Sequence, residues 1–170
     1  GANCDLSSLF ISFPLPYTLD RGREAGRPRK TMPPPAPGKK TFSFPALDIE
    51  VEPATAAGGA PALIVTLRGE IGMQGLEGFH RSLEDLLLEG HARLLLNFEG
   101  IRYMGSGGFG ALLLLKSKTA SRGGWLKICR LPSYLLKVMS AMGLERFFKT
   151  YPGPAEALND PEDLPVPART

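Results

Sequence analysis

The sequence is short of the residues from which active sites are usually built. It has only two cysteines and two histidines in 170 residues. Cys4 and Cys129 lie far apart, which gives neither a disulfide framework nor a metal-ligand spacing. A reducing compartment suits such a chain. Cys129, at the end of a strand-like run, reads as a small core residue. A nucleophilic enzyme needs a base beside its nucleophile. His80 falls on a helix beside Phe79 and His91 at the entrance to a strand, and each reads as a solvated or capping side chain. The carboxylates are spread over helix faces, with no pair set for acid–base work and no ligand cluster. The expectation is a protein that is not an enzyme and needs no metal or cofactor.

Long apolar runs are also missing. The longest, Ala111 to Leu115, is five residues, far short of a membrane span. Leu9–Leu19 is apolar in patches, but Pro14 and Pro16 interrupt it and no basic segment precedes it, so it makes a poor signal peptide. A cytoplasmic location without membrane insertion is expected. The net charge of +3 is unevenly placed. Residues 1–40 hold seven Lys or Arg against three Asp or Glu, whereas residues 41–170 hold thirteen against fourteen. A near-neutral body argues against a nucleic-acid face. The basic segment Arg21–Lys30 and the prolines at 33, 34, 35 and 37 remove backbone donors and restrict φ. Residues 1–41 are therefore expected to form a disordered arm, with Met32 as a natural start. Residues 42–160 are expected to form one domain, and residues 161–170, with three prolines, a flexible tail.

What the body does contain is regular hydrophobic patterning. Leu47, Ile49 and Val51 alternate with Asp48 and Glu50, a half-buried strand. A Gly-rich turn leads into a second strand at Ala62–Leu67, forming a hairpin. Leu76, Phe79, Leu83, Leu86 and Leu87 fall on one face of a helix, with Gly90 at its end. His91–Phe98, around Leu94-Leu95-Leu96, reads as a central strand. Phe109–Ala120 reads as an apolar helix and Trp125–Cys129 as another strand. Pro132 then opens a third helix that Gly143 closes. Phe147, Phe148 and Tyr151 form a short last strand or an apolar cover, and Pro154–Leu158 a final helix. The order ββαβαβα calls for a mixed α/β sheet with packed helices.

The one concentrated feature is Gly105-Ser106-Gly107-Gly108-Phe109-Gly110, between a buried strand and a helix. Glycines there permit positive φ, and free N–H groups at a helix start attract anions. Yet the segment lacks the Lys-Ser/Thr ending of a P-loop and is not GxGxxG. The simplest reading is a tight turn with Ser106 as the helix N-cap.

The segments Leu67-Arg68-Gly69-Glu70-Ile71, Leu94–Phe98 and Ile101–Leu112 together resemble the STAS domain, which joins sulfate transporters and anti-sigma factor antagonists. Gly124–Ile128 and Met142–Phe148 match the usual sequel, so the resemblance runs from Leu47 to Leu158. The chain is most similar to bacterial anti-sigma factor antagonists. The resemblance implies a four- to five-stranded mixed sheet with helices mainly on one face. It also implies binding to an anti-sigma factor that is a kinase and regulates transcription. In such antagonists the kinase phosphorylates a Ser or Thr at the start of the second helix, and the added charge breaks the complex. The family pattern there reads Asp-Ser-Ser/Thr-Gly-Leu/Phe-Gly. Here the aspartate position is Gly105, the first serine is Ser106, and the phosphoacceptor position is Gly107. The aspartate that follows Gly-Glu-Ile in the family is replaced by Gly72. Glycine has no hydroxyl, so only Ser106, one residue early, is left as a phosphorylation candidate.

The resemblance thus places a partner surface at Gly72, Met73, Gln74 and neighbouring Gly75, together with Gly105, Ser106, Gly107, Gly108 and Phe109. It adds the exposed side of the next helix, including Lys116. The alternatives are a STAS accessory subunit of an ABC lipid transporter or of a stress-signalling scaffold, and, more remotely, a nucleotide-binding protein using the Gly-rich turn.

Overall fold

The computed structural model describes residues 38–161. The expected arm up to residue 37, with Met32, and the expected tail beyond residue 161 lie outside the described residues. The strands are β1 (Lys40–Phe44), β2 (Leu47–Thr55), β3 (Pro61–Ile71), β4 (Arg93–Met104), β5 (Trp125–Cys129) and β6 (Thr150–Tyr151). The helices are α1 (Gly75–Leu88), α2 (Ser106–Ser121), α3 (Ser133–Ala141) and α4 (Pro154–Asn159).

The six strands form one sheet in sequence order. β1, β2 and β3 are antiparallel neighbours, whereas β3, β4, β5 and β6 run parallel. The parallel strands require crossovers, and each crossover steps one place in the same direction. Crossovers of one hand that advance in one direction put their helices on the same face. Accordingly, Phe79 and Leu83 of α1, Phe109 and Leu112 of α2, and Leu135 and Met139 of α3 share one core cluster with Val65, Leu96 and Ile128 of the sheet. Along β4 the neighbours of Leu95 point into this core, while Leu95 itself joins Cys129, Tyr151 and Ala157 in a second cluster beneath α4. Three helices therefore cover one face and α4 covers part of the other.

The sheet has six strands where the sequence pattern suggested four or five. The extra one is β1, whose Phe42 and Phe44 pack against the core while the segment's Lys and Pro neighbours disguise it as part of the arm. The ring of Phe44 occupies the space that a side chain at Gly78 of α1 would need: a Cβ there would lie 2.5 Å from Phe44 Cγ. Several elements are longer than their apolar cores suggested. β4 continues through the bulged register to Met104, and α2 begins three residues ahead of Phe109. Pro132 stands at the N-cap of α3, outside its first turn.

α4 is fastened by a buried lysine. Lys127 of β5 donates from Nζ to the Ala157 carbonyl at 3.0 Å and to the Asp160 carbonyl. Its ammonium also lies 4.6 Å from the Trp125 ring centroid. The Tyr151 hydroxyl donates to Asp160 at 3.0 Å, and Lys149 pairs with the same carboxylate. Among the described residues no helix is long and apolar enough to cross a membrane.

Candidate functional site

The C-terminal ends of β3 and β4 lie side by side and feed directly into α1 and α2. The Gly105 N–H donates to the Ile71 carbonyl at 3.0 Å, and the Leu76 N–H to the Gly72 carbonyl at 2.9 Å. The first bond ties the two strand-to-helix turns together, and the second closes the β3–α1 turn on itself. The result is an open cleft of about 620 Å³, lined by Glu70, Met73, Gln74, Tyr103 and Ser106 among others. A second, more apolar groove of about 480 Å³ lies between the N-terminal halves of α1 and α2, where Leu76, Ala111 and Leu114 meet. Met73, Leu76 and Gly107 belong to both, so the two form one continuous rim.

Six of the nine predicted partner residues meet on this rim: Gly72, Met73, Gln74, Gly105, Ser106 and Gly107. Met73 is 99% exposed. Gly108 touches the cleft from beneath but is itself buried, because α2 starts so close to the sheet. A Cβ at Gly108 would lie 2.8 Å from Met104 and 3.1 Å from Ile71. Gly75 is buried for the same kind of reason, with an added Cβ only 2.1 Å from the Glu70 carbonyl oxygen. Phe109 is a core residue.

Lys116 is 0% exposed, contrary to the expectation that it would face a partner. Phe109, Leu112 and Lys116 stand at i, i+3 and i+7, which is one helical face, and that face is the core face. The lysine stem packs inside, and its ammonium lies 5.7 Å from the Phe148 ring centroid.

Two details of the Gly-rich segment also differ from the sequence reading. Gly105, with extended backbone, is the N-cap, while Ser106 is the first helical residue and makes no side-chain cap. None of the segment's glycines has positive φ. Their smallness serves close approach instead: Gly108 to the sheet, and Gly107 to Leu76, whose Cδ2 would lie 2.8 Å from an added Cβ.

Tyr103 was not foreseen as a site residue, although it sits inside the motif that carried the family resemblance. Its ring lies beside Gly72 and Gly105, one glycine from each strand-to-helix turn. A Cβ at Gly72 would be 3.3 Å from Tyr103 Cε1, and one at Gly105 would be 3.5 Å from the phenol oxygen. Leu76, Leu114, Glu70 and Glu77 were likewise missed as rim residues, since each reads in sequence as ordinary helix or strand patterning. Glu70 and Glu77 line the rim, and no Lys or Arg does. Burial, and then the nearby Glu70 carboxylate, push the Tyr134 phenol above its ordinary range.

Each of the two histidines has a glutamate as its neighbour. His80 borders the apolar groove with Nδ1 3.6 Å from the Glu84 carboxylate. His91 is largely covered, and burial holds it below its ordinary value. The Cys129 thiol is pushed up to about 11 by burial, which leaves it a core thiol and not a nucleophile. Among the described residues no three His, Cys, Asp or Glu side chains converge as a metal site.

A STAS domain family model matches residues 52–157, well over half of the sequence. The chain belongs to the STAS domain family. No curated protein matches it in sequence. Among solved structures, an anti-sigma factor antagonist from Mycobacterium paratuberculosis aligns with a TM-score of 0.58 at 19% identity, covering 69% of this chain and 96% of that one. SpoIIAA, an anti-sigma factor antagonist in its unphosphorylated form, aligns with a TM-score of 0.54 at 19% identity, covering 64% and 91%. The phosphorylated form of SpoIIAA, described as a Bacillus cell fate determinant, gives 0.50 at 20% identity, covering 64% and 95%. At these identities the likeness establishes a shared STAS fold. The start of α2, with Gly107 as its second residue, forms part of the rim.

Proposed function

We propose that this STAS domain is a protein-binding module of the anti-sigma factor antagonist kind, whose partner is an anti-sigma factor with kinase activity and whose phosphoswitch is lost. The observation that carries this reading is the identity and placement of Gly107. It is the second residue of α2, exposed on a rim shaped by both strand-to-helix turns, at the position where the family pattern has its phosphoacceptor. The fold is shared with a protein solved in both unphosphorylated and phosphorylated forms, which supports a switchable ancestor.

Without a hydroxyl at residue 107, the phosphate that would repel the partner has no point of attachment. Ser106 precedes it by one residue and so projects about 100° away around the helix. A kinase aligned on residue 107 meets the Ser106 hydroxyl in the wrong direction. Binding is then constitutive, governed by the amounts of antagonist and partner instead of by phosphorylation.

Affinity capture with the tagged full chain from a lysate of the source organism, with ATP present, tests the partner. Recovery of a histidine-kinase-like anti-sigma factor with Ser106 unmodified is the expected result. Recovery of transporter or stress-scaffold subunits without such a kinase contradicts it.

A further inference from the structure

The rim has lost polar groups at three positions, and the side chains standing beside the vacated places are aromatic and aliphatic. Tyr103 lies over Gly72 and Gly105, and Leu76 lies beside Gly107. Tyr103 is 52% exposed, and Leu114 and Met73 are exposed further along the same rim. The loss of the family's carboxylates at positions 72 and 105 has not made the rim uncharged. Glu70 and Tyr103 are register partners in the parallel β3–β4 pair, so their side chains stand next to each other on one face of the sheet. Both are exposed. Glu77 follows on α1, where it pairs with Arg81 at 3.0 Å on the open surface. No ion pair engages Glu70 among the described residues. The lining of both halves of the rim contains acids and no Lys or Arg.

We infer that the rim recognises an amphipathic helix of the partner that presents arginine to Tyr103 and Glu70 and apolar side chains to the Leu76–Leu114 groove. This rests on the rim being the partner surface, as proposed above, and adds the chemistry of what docks there. A guanidinium is planar. It can stack on the half-exposed Tyr103 ring while its N–H groups reach the adjacent Glu70 carboxylate. The groove between α1 and α2 supplies the complementary apolar seat for residues one helical turn away. A partner surface of acidic character is disfavoured, because it would face Glu70, which no ion pair engages among the described residues, while Glu77 is already paired with Arg81. Tyr103 is on this account the specificity-determining residue. Gly72, where an added Cβ would press to 3.3 Å from the ring, is the glycine whose smallness gives the ring room, while Gly105 lies in ordinary contact with it.

The test titrates the isotopically labelled full chain with a short amphipathic helical peptide of leucine and arginine, and separately with its leucine–glutamate counterpart, followed by NMR. The arginine peptide should bind about tenfold tighter than the glutamate peptide, with shifts concentrated at Met73, Leu76, Tyr103, Gly107 and Leu114. The Glu70→Lys/Glu77→Lys double variant should reverse the preference. Tyr103→Phe should retain binding, whereas Tyr103→Leu should lose about two- to fivefold. All these positions are exposed or half-buried, so the variants leave the core intact, and circular dichroism confirms this. Equal binding of the two peptides, shifts centred on the Asp48–Glu50–Glu52 surface, or an unchanged preference in the charge-reversal variant would each overturn the inference. So would a concentration-dependent dimer that shifts the same rim resonances without peptide, since it would assign the groove to a second copy. Peptide preference and kinase capture are separate readouts, so a failure of one does not mimic a failure of the other.

Discussion

Residue by residue, the Gly-rich segment divides its labour in a way that composition conceals. Gly105 caps α2, Gly107 leaves the rim open beside Leu76, Gly108 lets the helix start against Met104 and Ile71, and Phe109 is an anchor in the core. Removing that anchor should act on stability. Phe109→Ala is expected to cost about 3–5 kcal/mol, the usual range for deleting a fully buried aromatic. Chemical denaturation would register the change as a lower midpoint. A variant that kept its stability but lost its partner would instead return Phe109 to the binding surface. The same reasoning explains why Lys116 was misplaced from sequence. Its charge suggested solvent, yet its spacing from Phe109 and Leu112 already put it on the buried face. Periodicity decides the side of a helix, and here it outweighed residue type. Tyr103 escaped notice for the opposite reason. Nothing in the sequence shows that a tyrosine at the end of a strand will lie across two glycines from different turns, because that contact exists only after β3 and β4 pair.

Among the elements, those with long apolar patterns were legible and those with short or disguised ones were not. The hairpin of β2 and β3, the amphipathic α1, the buried β4 and the strand Trp125–Cys129 all follow from alternation or 3.6-residue spacing. β1 was missed because two phenylalanines among Lys, Thr, Ser and Pro give too short a signal. β6, with two residues, is legible only as one of two alternatives, a short last strand or an apolar cover, and it proves to be a strand at Thr150–Tyr151. α4 is a short helix that could not stand on its own propensity. Its position depends on Lys127, which is buried and donates to carbonyls at the helix's C-terminal end, where the helix dipole favours a cation. Lys127→Met keeps the length of the side chain and removes the donor. It should cost about 1.5–3 kcal/mol, the range for a hydrogen bond to a charged group. It should also raise amide hydrogen exchange over residues 154–159 while leaving α1 and α2 protected. Unchanged exchange in α4 would mean that Ala157 and Leu158 hold the helix by packing alone.

At the scale of the whole molecule, the sheet order explains why a site forms where it does. Successive crossovers in one direction line up the starts of α1 and α2 at the same end of neighbouring parallel strands. Any STAS domain built this way presents that rim, and its chemistry is set by the few residues of the two turns. In this chain those residues include Gly72, Gly105 and Gly107, with the Tyr103 ring beside the first two and Glu70 next to Tyr103 in the sheet register. The fold was readable from hydrophobic periodicity, and the motif placed six of its nine candidate residues on one rim. The approach of Tyr103 to a glycine of each turn became visible only once β3 and β4 were seen paired.

The most direct measurement of the central claim is intact-protein mass spectrometry after incubation with ATP and the captured anti-sigma kinase, comparing the native chain with Gly107→Ser. The substitution requires only that the Leu76 Cδ2 methyl, 2.8 Å from the new Cβ, swing aside, which the end of a flexible side chain on an open rim can do. The native chain should stay unmodified and bound, whereas Gly107→Ser should gain one phosphate and release the kinase. Stoichiometric phosphorylation of the native chain at Ser106, with release of the kinase, would contradict the claim.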